Sequence, residues 1–217
     1  SKTFSNSAFA ACALIVADRP DGAALQYHDL RNLTQIMDSI GVFFSYMITR
    51  GELINASGID PVTHRFNYSS FQKTLALTMD ESDKTGGTFA LVLFDVDKFV
   101  FMNEKLGFER GDQVLRGIGD AISRVAQTEH VARVGPDEFA LILKGATEHA
   151  RPAIEKILEK LKGFANEICP EMSLSLSVAY TLYPFDFLEQ TSVFGKMREA
   201  LVPGSSSMGQ LLRVKCN

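Results

Sequence analysis

The most constraining feature of this sequence is an apolar run that ends in two aspartates. Residues 88–94 read Thr-Phe-Ala-Leu-Val-Leu-Phe and continue into Asp95-Val96-Asp97. A continuous apolar run of this length, preceded by the glycine pair Gly86-Gly87, is typical of a buried strand. Carboxylates at the end of a buried strand are costly unless they are solvated, paired or bound to a metal ion. The run therefore predicts an interior strand with a polar site at its end.

Helical and strand patterns alternate along the chain on both sides of this run. His130–Val134 and Glu138–Leu143 flank a very short turn, as in a β-hairpin. Met172–Tyr180 alternates apolar and small polar residues, as in a strand with one buried face. This alternation predicts an α/β fold in which helices flank a mixed central sheet. The other elements expected are helices at about Ser69–Met79, Lys98–Lys105, Gly111–Val125, Arg151–Phe164 and Gln190–Leu201, and a short strand at Gln210–Val214.

The first 57 residues are predicted to form an N-terminal unit, and residues 58–217 a second domain. Ala8–Ala17 is apolar throughout and predicts a buried strand, and a long helical pattern begins at about Asp29. Gly51 and the polar stretch Asn55–Gly58 weaken that helix and predict a hinge. Two interpretations of the helix stay open: it packs on its own strand, or it is a dimerising signal helix. Its apolar residues at heptad spacing are Leu30, Leu33, Met37, Ile40, Phe44 and Met47.

Charge and cysteine usage exclude several classes of function. The formal net charge of −4 gives no basis for non-specific binding to nucleic acid or to an anionic membrane. Cys12, Cys169 and Cys216 form no metal-ligand spacing and are typical of free thiols in a reducing compartment. The longest apolar run, Ala8–Ala17, is too short to span a bilayer. We therefore expect a cytoplasmic protein whose present segment makes no membrane contact.

Two acidic features form the candidate site. One is Asp95-Val96-Asp97 at the strand end, and the other is Asp137-Glu138 in the hairpin turn. Brought together, they would make an oxygen-rich site for Mg²⁺, which can bind nucleotide phosphates and assist phosphoryl transfer. Taken singly, each feature has a simpler interpretation. Asp-x-Asp after a strand is common as a helix N-cap, and Asp-Glu in a hairpin is often only a solvated turn.

Several motifs in register resemble those of the GGDEF domain family, whose active members are diguanylate cyclases. The resemblance covers about Asp60 to Val214 and implies a nucleotide-cyclase-like fold related to the ferredoxin-like class. Active members condense two GTP molecules into cyclic di-GMP, and each domain of a dimer presents one GTP. The matching segments are the opening motif at Asp60-Pro61-Val62-Thr63 and Asn67, the strand-end motif Leu93–Phe99, Asn103-Glu104, Gly111-Asp112, and the signature hairpin Val131–Ala140 with its turn Gly135-Pro136-Asp137-Glu138-Phe139.

The resemblance assigns a role to individual residues of this chain. Asp95, Asp137 and the Val96 carbonyl would bind Mg²⁺. Carried over by position, Asn103 and Asp112 would read guanine, where a carboxylate accepts from N–H groups and an amide bonds ring acceptors. The remaining assignments are phosphate or nucleotide contacts by Arg133, Lys98 and Phe99, and, in an active enzyme, deprotonation of the attacking 3′-hydroxyl by the pair Asp137 and Glu138.

The chain departs from the family pattern on the phosphate side of the site. Pro136 replaces the second glycine of the turn, so φ is fixed and an N–H donor is lost. Val100 stands where a lysine normally reaches the phosphates, and Leu201 and Ser205 stand where a lysine and an arginine are usual. The inhibitory Arg-x-x-Asp motif is also missing, because Ala126-Gln127-Thr128-Glu129 occupies its place. We therefore expect no allosteric inhibitory site.

Three hypotheses about function follow. The first is a degenerate GGDEF domain that senses GTP or GDP, or regulates a partner, without efficient cyclase activity. The second is an active diguanylate cyclase that tolerates Pro136, and the third is a protein-interaction module that binds no nucleotide. The first 55 or so residues resemble the end of a GAF sensor domain. That resemblance implies an upstream sensor. We also expect a homodimer formed through the N-terminal helix, and a downstream protein partner.

Overall fold

The computed structural model describes residues 27–128, 130–201 and 209–216. Two compact units divide between Gly51 and Glu52, and the second unit contains the sheet. The elements in chain order are α1 (Tyr27–Ser57), α2 (Tyr68–Thr85), β1 (Phe89–Val96), α3 (Phe99–Leu106), α4 (Phe108–Ala126), β2 (Val131–Arg133), β3 (Glu138–Lys144), α5 (Arg151–Ile168), β4 (Leu176–Tyr183), α6 (Gln190–Leu201) and β5 (Leu211–Arg213).

The apolar run identified in the sequence is β1, the central strand of a five-stranded sheet with the order β2-β3-β1-β4-β5. It pairs antiparallel with β3 on one side and with β4 on the other. At the edges, β2 pairs antiparallel with β3, and β5 pairs parallel with β4. The prediction of an α/β fold with a mixed central sheet is therefore confirmed.

Successive residues of β1 face two different layers of helices. Ala90, Val92 and Phe94 pack in a core cluster with residues of α4 and α5. Leu91 and Leu93 pack in a second cluster with residues of α2 and α6. Because side chains alternate between the two faces of a strand, a strand that is apolar at every position needs a helix layer on each face. The same alternation decides which helices can reach the polar residues at the end of β1.

The predicted bounds hold for α6 and differ by a few residues elsewhere. The strand predicted from Met172 begins only at Leu176, because its partner β1 ends at Val96, the residue that pairs with Leu176. The long helix continues through Gly51, where we expected it to weaken, and ends at Ser57 before Gly58 at φ +74°. A single glycine inside a helix of 31 residues costs only about 1 kcal/mol.

Two predictions about the N-terminal residues stay predictions. The strand at Ala8–Ala17 lies outside the described residues. The boundary placed after residue 57 likewise stays a prediction. Within the described ranges, no helix is long and apolar enough to cross a membrane.

An ion pair between Arg213 and Asp186 lies near the end of β4 that is farther from the acidic site. Asp186 is 1% exposed, and its two carboxylate oxygens accept from Arg213 Nε at 2.9 Å and Nη2 at 3.0 Å. We expect Arg213→Ala to lower the free energy of unfolding by about 3–5 kcal/mol, because it leaves a buried charge without its partner. Urea denaturation measures the loss.

The matched control is Lys84→Ala, which removes an exposed ion pair with Asp80 on α2. This substitution should cost less than about 1 kcal/mol. Similar losses in the two variants would contradict the structural role given to Arg213.

Candidate functional site

Acidic and hydroxyl side chains form a row across the sheet where β1 ends. Asp95 lies opposite Glu138 of β3 on one side and opposite Ser177 of β4 on the other. Residues directly opposite in antiparallel strands project to the same face of the sheet. This face is the one that carries Leu93 and packs on α2 and α6. The row is therefore within reach of side chains from α6.

Of the two carboxylates that the family resemblance assigns to a metal ion, Asp137 is close enough to Asp95 to affect the ionisation of Asp95. The pKa of Asp95 is raised to about 6, first by its partial burial and then by the negative charges of Asp137, Glu138 and Asp97. The pKa of Asp137 is also raised, by burial and by Glu138, although Arg133 acts in the opposite direction. A cation placed here would relieve the repulsion that both shifts report.

Asp97 has a different role, although it is only two residues from Asp95. Its Oδ1 accepts from Ser177 Oγ at 2.6 Å, and its Oδ2 accepts from Ser175 Oγ at 2.6 Å and from the Gly209 N–H at 3.1 Å. Asp97 thus holds the start of β4 and residue 209 against the end of β1. Of the two aspartates in the motif, Asp95 is the one left for a ligand.

Arg133, predicted to contact phosphate, holds the signature turn from one side. Its Nη2 donates to the Pro136 carbonyl at 2.6 Å, and its Nε donates to the Gly135 carbonyl at 3.2 Å. Its Nη1 lies 3.3 Å from Asp60 Oδ1, and the Arg133 side chain is only 14% exposed. In this conformation Arg133 therefore fixes the turn between β2 and β3, and its phosphate contact stays a prediction.

Glu138 is held from the other side by Arg198 of α6, a residue that the sequence analysis did not single out. Arg198 Nε lies 2.8 Å from Oε1 and 2.9 Å from Oε2 of Glu138, and Nη2 lies 2.6 Å from Oε2. Nη2 also donates to the Val134 carbonyl at 3.2 Å. The Glu138 side chain folds back over Gly135, where an added Cβ would come within 2.3 Å of Oε2. The only signal in the sequence was a basic residue in the last turn of α6.

The two residues predicted to read guanine lie on neighbouring helices. Asn103 is on α3, and Asp112 is in the first turns of α4, both half-buried. Asn103 Oδ1 is buried and has no hydrogen-bond partner among the described residues. A Cβ at Gly111 would come within 1.9 Å of that oxygen, so only glycine leaves room for the amide. The structure thus places the Asn103 amide against Gly111, the residue next to Asp112, and the reading of guanine by the two side chains stays a prediction.

The segment between β1 and α3 contains the other two predicted nucleotide contacts. Lys98 is exposed and has a left-handed backbone with φ +57°, which is uncommon for a residue with a side chain. Phe99 is 8% exposed and packs in the first core cluster. Any contact of Phe99 with a nucleotide would therefore be made by its main chain.

The donor set suits Mg²⁺ only if a ligand completes it. Within the described parts of the chain, no group of three or more His, Cys, Asp or Glu side chains is arranged to hold a metal ion. Glu138 is taken by Arg198, which leaves Asp95, Asp137 and the Val96 carbonyl. Mg²⁺ in nucleotide sites is bound by one or two carboxylates together with phosphate oxygens and waters. The residues present therefore fit a metal that arrives with its nucleotide.

The described departures from the family pattern lie in the turn, in α3 and at the end of α6. Pro136 is exposed, and the Val100 side chain is 69% exposed. Leu201 packs against the second core cluster and therefore has a structural role. Ser205 and Glu129 lie outside the described residues.

Comparison with known proteins identifies the family. Residues 57–202 match the family model described as "Diguanylate cyclase, GGDEF domain". Because the match covers more than half of the chain, the protein belongs to the GGDEF domain family. The resemblance inferred from the motifs is thereby confirmed, whereas the GAF resemblance of the N-terminal residues stays a prediction.

Curated relatives in the family are longer proteins. The probable diguanylate cyclase DgcE of Escherichia coli (strain K12) is 30% identical over 115 residues, which are 52% of this chain and 10% of DgcE. The diguanylate cyclase DosC of the same organism is 29% identical over 135 residues, which are 58% of this chain and 28% of DosC. The chain thus spans less than a third of either relative.

Solved structures show the same fold. The diguanylate cyclase SiaD from Pseudomonas aeruginosa, solved in complex with its activator SiaC, superposes with a TM-score of 0.64 at 24% sequence identity. The likeness covers 87% of this chain and 74% of the SiaD chain. The predicted nucleotide-cyclase-like fold is confirmed by this match.

The raised pKa of Asp95 predicts that this carboxylate destabilises the protein. Because the pKa in the folded state, about 6, lies above the ordinary value of 3.8, the contribution of Asp95 to stability is greatest at low pH and is lost as the pH rises through 6. We expect Asp95→Asn to raise the free energy of unfolding by about 1–2 kcal/mol at pH 8. The gain should shrink as the pH is lowered from 8 towards 4, which urea denaturation at a series of pH values measures.

Asp97→Asn provides the opposite control. Its amide would present a donor to hydroxyl and N–H groups that now donate to a carboxylate, so we expect a loss of about 1–3 kcal/mol at pH 8. If the two substitutions shift stability in the same direction, the separation of roles between Asp95 and Asp97 is wrong.

Proposed function

We propose that this chain carries a GGDEF domain that senses guanine nucleotides in cyclic di-GMP signalling and has lost efficient cyclase activity. The observation that carries the proposal is a contrast between two sides of one site. On the base side, the buried Asn103 Oδ1 has no hydrogen-bond partner among the residues that the structure describes. On the phosphate side, the described positions where the family pattern has lysines hold Val100 and Leu201.

Binding of a base would give the Asn103 side chain a hydrogen-bond partner. A buried polar atom without a partner costs about 1–3 kcal/mol. Guanine has N–H groups that can donate to Asn103 Oδ1 and to the Asp112 carboxylate, and it has ring acceptors as well. Because Gly111 has no side chain, there is room for the Asn103 amide beside Asp112. GTP and GDP are therefore the ligands that this side of the site favours.

The phosphate side supports binding without rapid turnover. Neither an exposed valine nor a leucine packed in the core can neutralise a phosphate charge. Each charge-assisted hydrogen bond contributes about 1.5–3 kcal/mol, so two that are missing in the transition state would slow the reaction by several orders of magnitude. Mg²⁺, held by Asp95, Asp137 and the Val96 carbonyl, would supply neutralising charge for the phosphates.

The state of Glu138 also supports slow chemistry. In active members the acidic pair of the signature turn serves the deprotonation of the 3′-hydroxyl. Here Glu138 is paired on both oxygens with Arg198 and is 12% exposed. In this conformation the Glu138 carboxylate is engaged by Arg198 rather than free to meet the 3′-hydroxyl of a substrate.

Titration calorimetry with Mg²⁺ should show binding of GTP or GDP to the wild-type protein. Asp112→Ala should weaken that binding by at least about tenfold, since it removes a charged acceptor for the base. Asp80→Ala, which removes an exposed carboxylate on α2 instead, should leave the affinity unchanged. Absence of guanine-nucleotide binding by the wild type would refute the nucleotide-sensing role.

The same preparation separates the sensing domain from an active cyclase. Incubation of the purified protein with GTP and Mg²⁺ should yield no clear chromatographic peak of cyclic di-GMP. A clear peak that disappears in Asp137→Ala would establish the alternative, a cyclase that tolerates Pro136.

A second proposed role is homodimerisation through α1. The heptad positions Ile40, Phe44 and Met47 are 40%, 56% and 45% exposed. Contiguous apolar side chains of this size on a helix are normally covered by a partner. A dimer would fit the family's chemistry, in which two domains each present one GTP. It is also compatible with an upstream sensor and a downstream protein partner.

The double substitution Phe44→Glu/Met47→Glu should turn a dimer into a monomer, because it places charges in the seam. Light scattering coupled to size-exclusion chromatography measures the mass. Ser45→Glu, which adds a charge at an exposed polar position of the same helix, should leave the dimer intact. A wild-type protein that is monomeric at every concentration would contradict this role.

A further inference from the structure

The side chain of Arg198 is held at the candidate site by three contacts. Its Nε and Nη2 atoms donate to the Glu138 carboxylate, and Nη2 also donates to the Val134 carbonyl. Its guanidinium carbon also lies 5.9 Å from the centre of the Phe194 ring, one turn earlier on α6. A guanidinium that is already fixed in this way loses little further conformational freedom when it binds a ligand.

One edge of the Arg198 guanidinium remains available. Nε and Nη2 make all the hydrogen bonds between this side chain and the described residues, and Nη1 makes none of them. The Arg198 side chain is 40% exposed, whereas Arg133 on the other side of the turn is 14% exposed and uses all three of its nitrogens. Arg198 can therefore bind an anion without first releasing Glu138.

The position of Arg198 relative to the carboxylates is the one that a phosphate contact needs. Its partner Glu138 follows Asp137 in the chain and lies opposite Asp95 across the sheet. A phosphate that shares Mg²⁺ with Asp95 and Asp137 would thus have a guanidinium beside it. Arg198 also lies three residues before Leu201, on the same side of α6, where the family pattern has a lysine.

We propose that Arg198 binds the phosphates of the bound guanine nucleotide and replaces the cations that are absent at Val100 and Leu201. This inference rests on the proposed nucleotide-sensing function and adds a residue and a ligand group to it. The ligand class is a nucleoside di- or triphosphate, because a guanidinium edge pairs with the terminal, doubly charged phosphate oxygens. Glu138 acts as the positioning residue that keeps the guanidinium ready.

The experiment compares GTP and GMP binding in the presence of Mg²⁺ by calorimetry, in the wild type and in Arg198→Gln, Arg198→Lys and Glu138→Gln. Arg198→Gln should weaken GTP binding by about tenfold or more and GMP binding by less, so the preference for GTP falls. Arg198→Lys keeps the charge and should retain part of the preference. Glu138→Gln should tighten GTP binding, because it removes a negative charge near the phosphates while the amide oxygen can still accept from Arg198 and keep it in position. Arg151→Gln, which breaks an exposed ion pair with Glu155 on α5, is the matched control.

A purely structural clamp predicts a different pattern. In that case Arg198→Gln and Glu138→Gln remove the same ion pair and weaken GTP and GMP binding alike, which overturns the inference. Retained GMP binding by Arg198→Gln shows that the variant is folded. A preference for GTP that is unchanged in Arg198→Gln also overturns the inference, while the nucleotide-sensing function stands. Absence of guanine-nucleotide binding by the wild type refutes that function and this inference with it.

Discussion

Burial of β1 between two layers of helices is the constraint on which the rest of the structure depends. The strand contributes apolar side chains to both core clusters, so neither helix layer can move without exposing one of them. Its length also decides where the polar residues lie, because Asp95 is held one residue before the end of the paired region. The acidic site is therefore attached to the central strand of the sheet. The pKa of Asp95 is raised there first by its partial burial and then by the neighbouring carboxylates.

Local patterns in the sequence were sufficient for the fold and for most of the candidate residues. The run ending at Asp95 predicted the central strand, and the family resemblance supplied Asn103, Asp112 and the signature turn as candidates. The sequence was uninformative where a contact joins distant parts of the chain. Nothing near Arg198 indicates that it reaches Glu138, which is 60 residues away. The different roles of Asp95 and Asp97 depend likewise on hydroxyl groups contributed by β4 and the residues before it.

Two arginines hold the altered turn, and their contacts change the meaning of Pro136. A glycine at this position would give the turn freedom in φ, whereas proline restricts it. Arg133 binds the carbonyls of Gly135 and Pro136 from one side, and Arg198 binds Glu138 and the Val134 carbonyl from the other. The turn is thus fixed by its own backbone and by two side chains.

The bond between Asp97 and the Gly209 N–H has a consequence for how this family member can change in evolution. It anchors the chain at residue 209 to the central strand, while α6 is anchored at its own end through Leu201. Gly209 has φ +76°, which favours glycine, and Asp97 accepts hydrogen bonds on both of its carboxylate oxygens. A change at either position would weaken the attachment of residue 209 to the central strand, so positions 97 and 209 are constrained together.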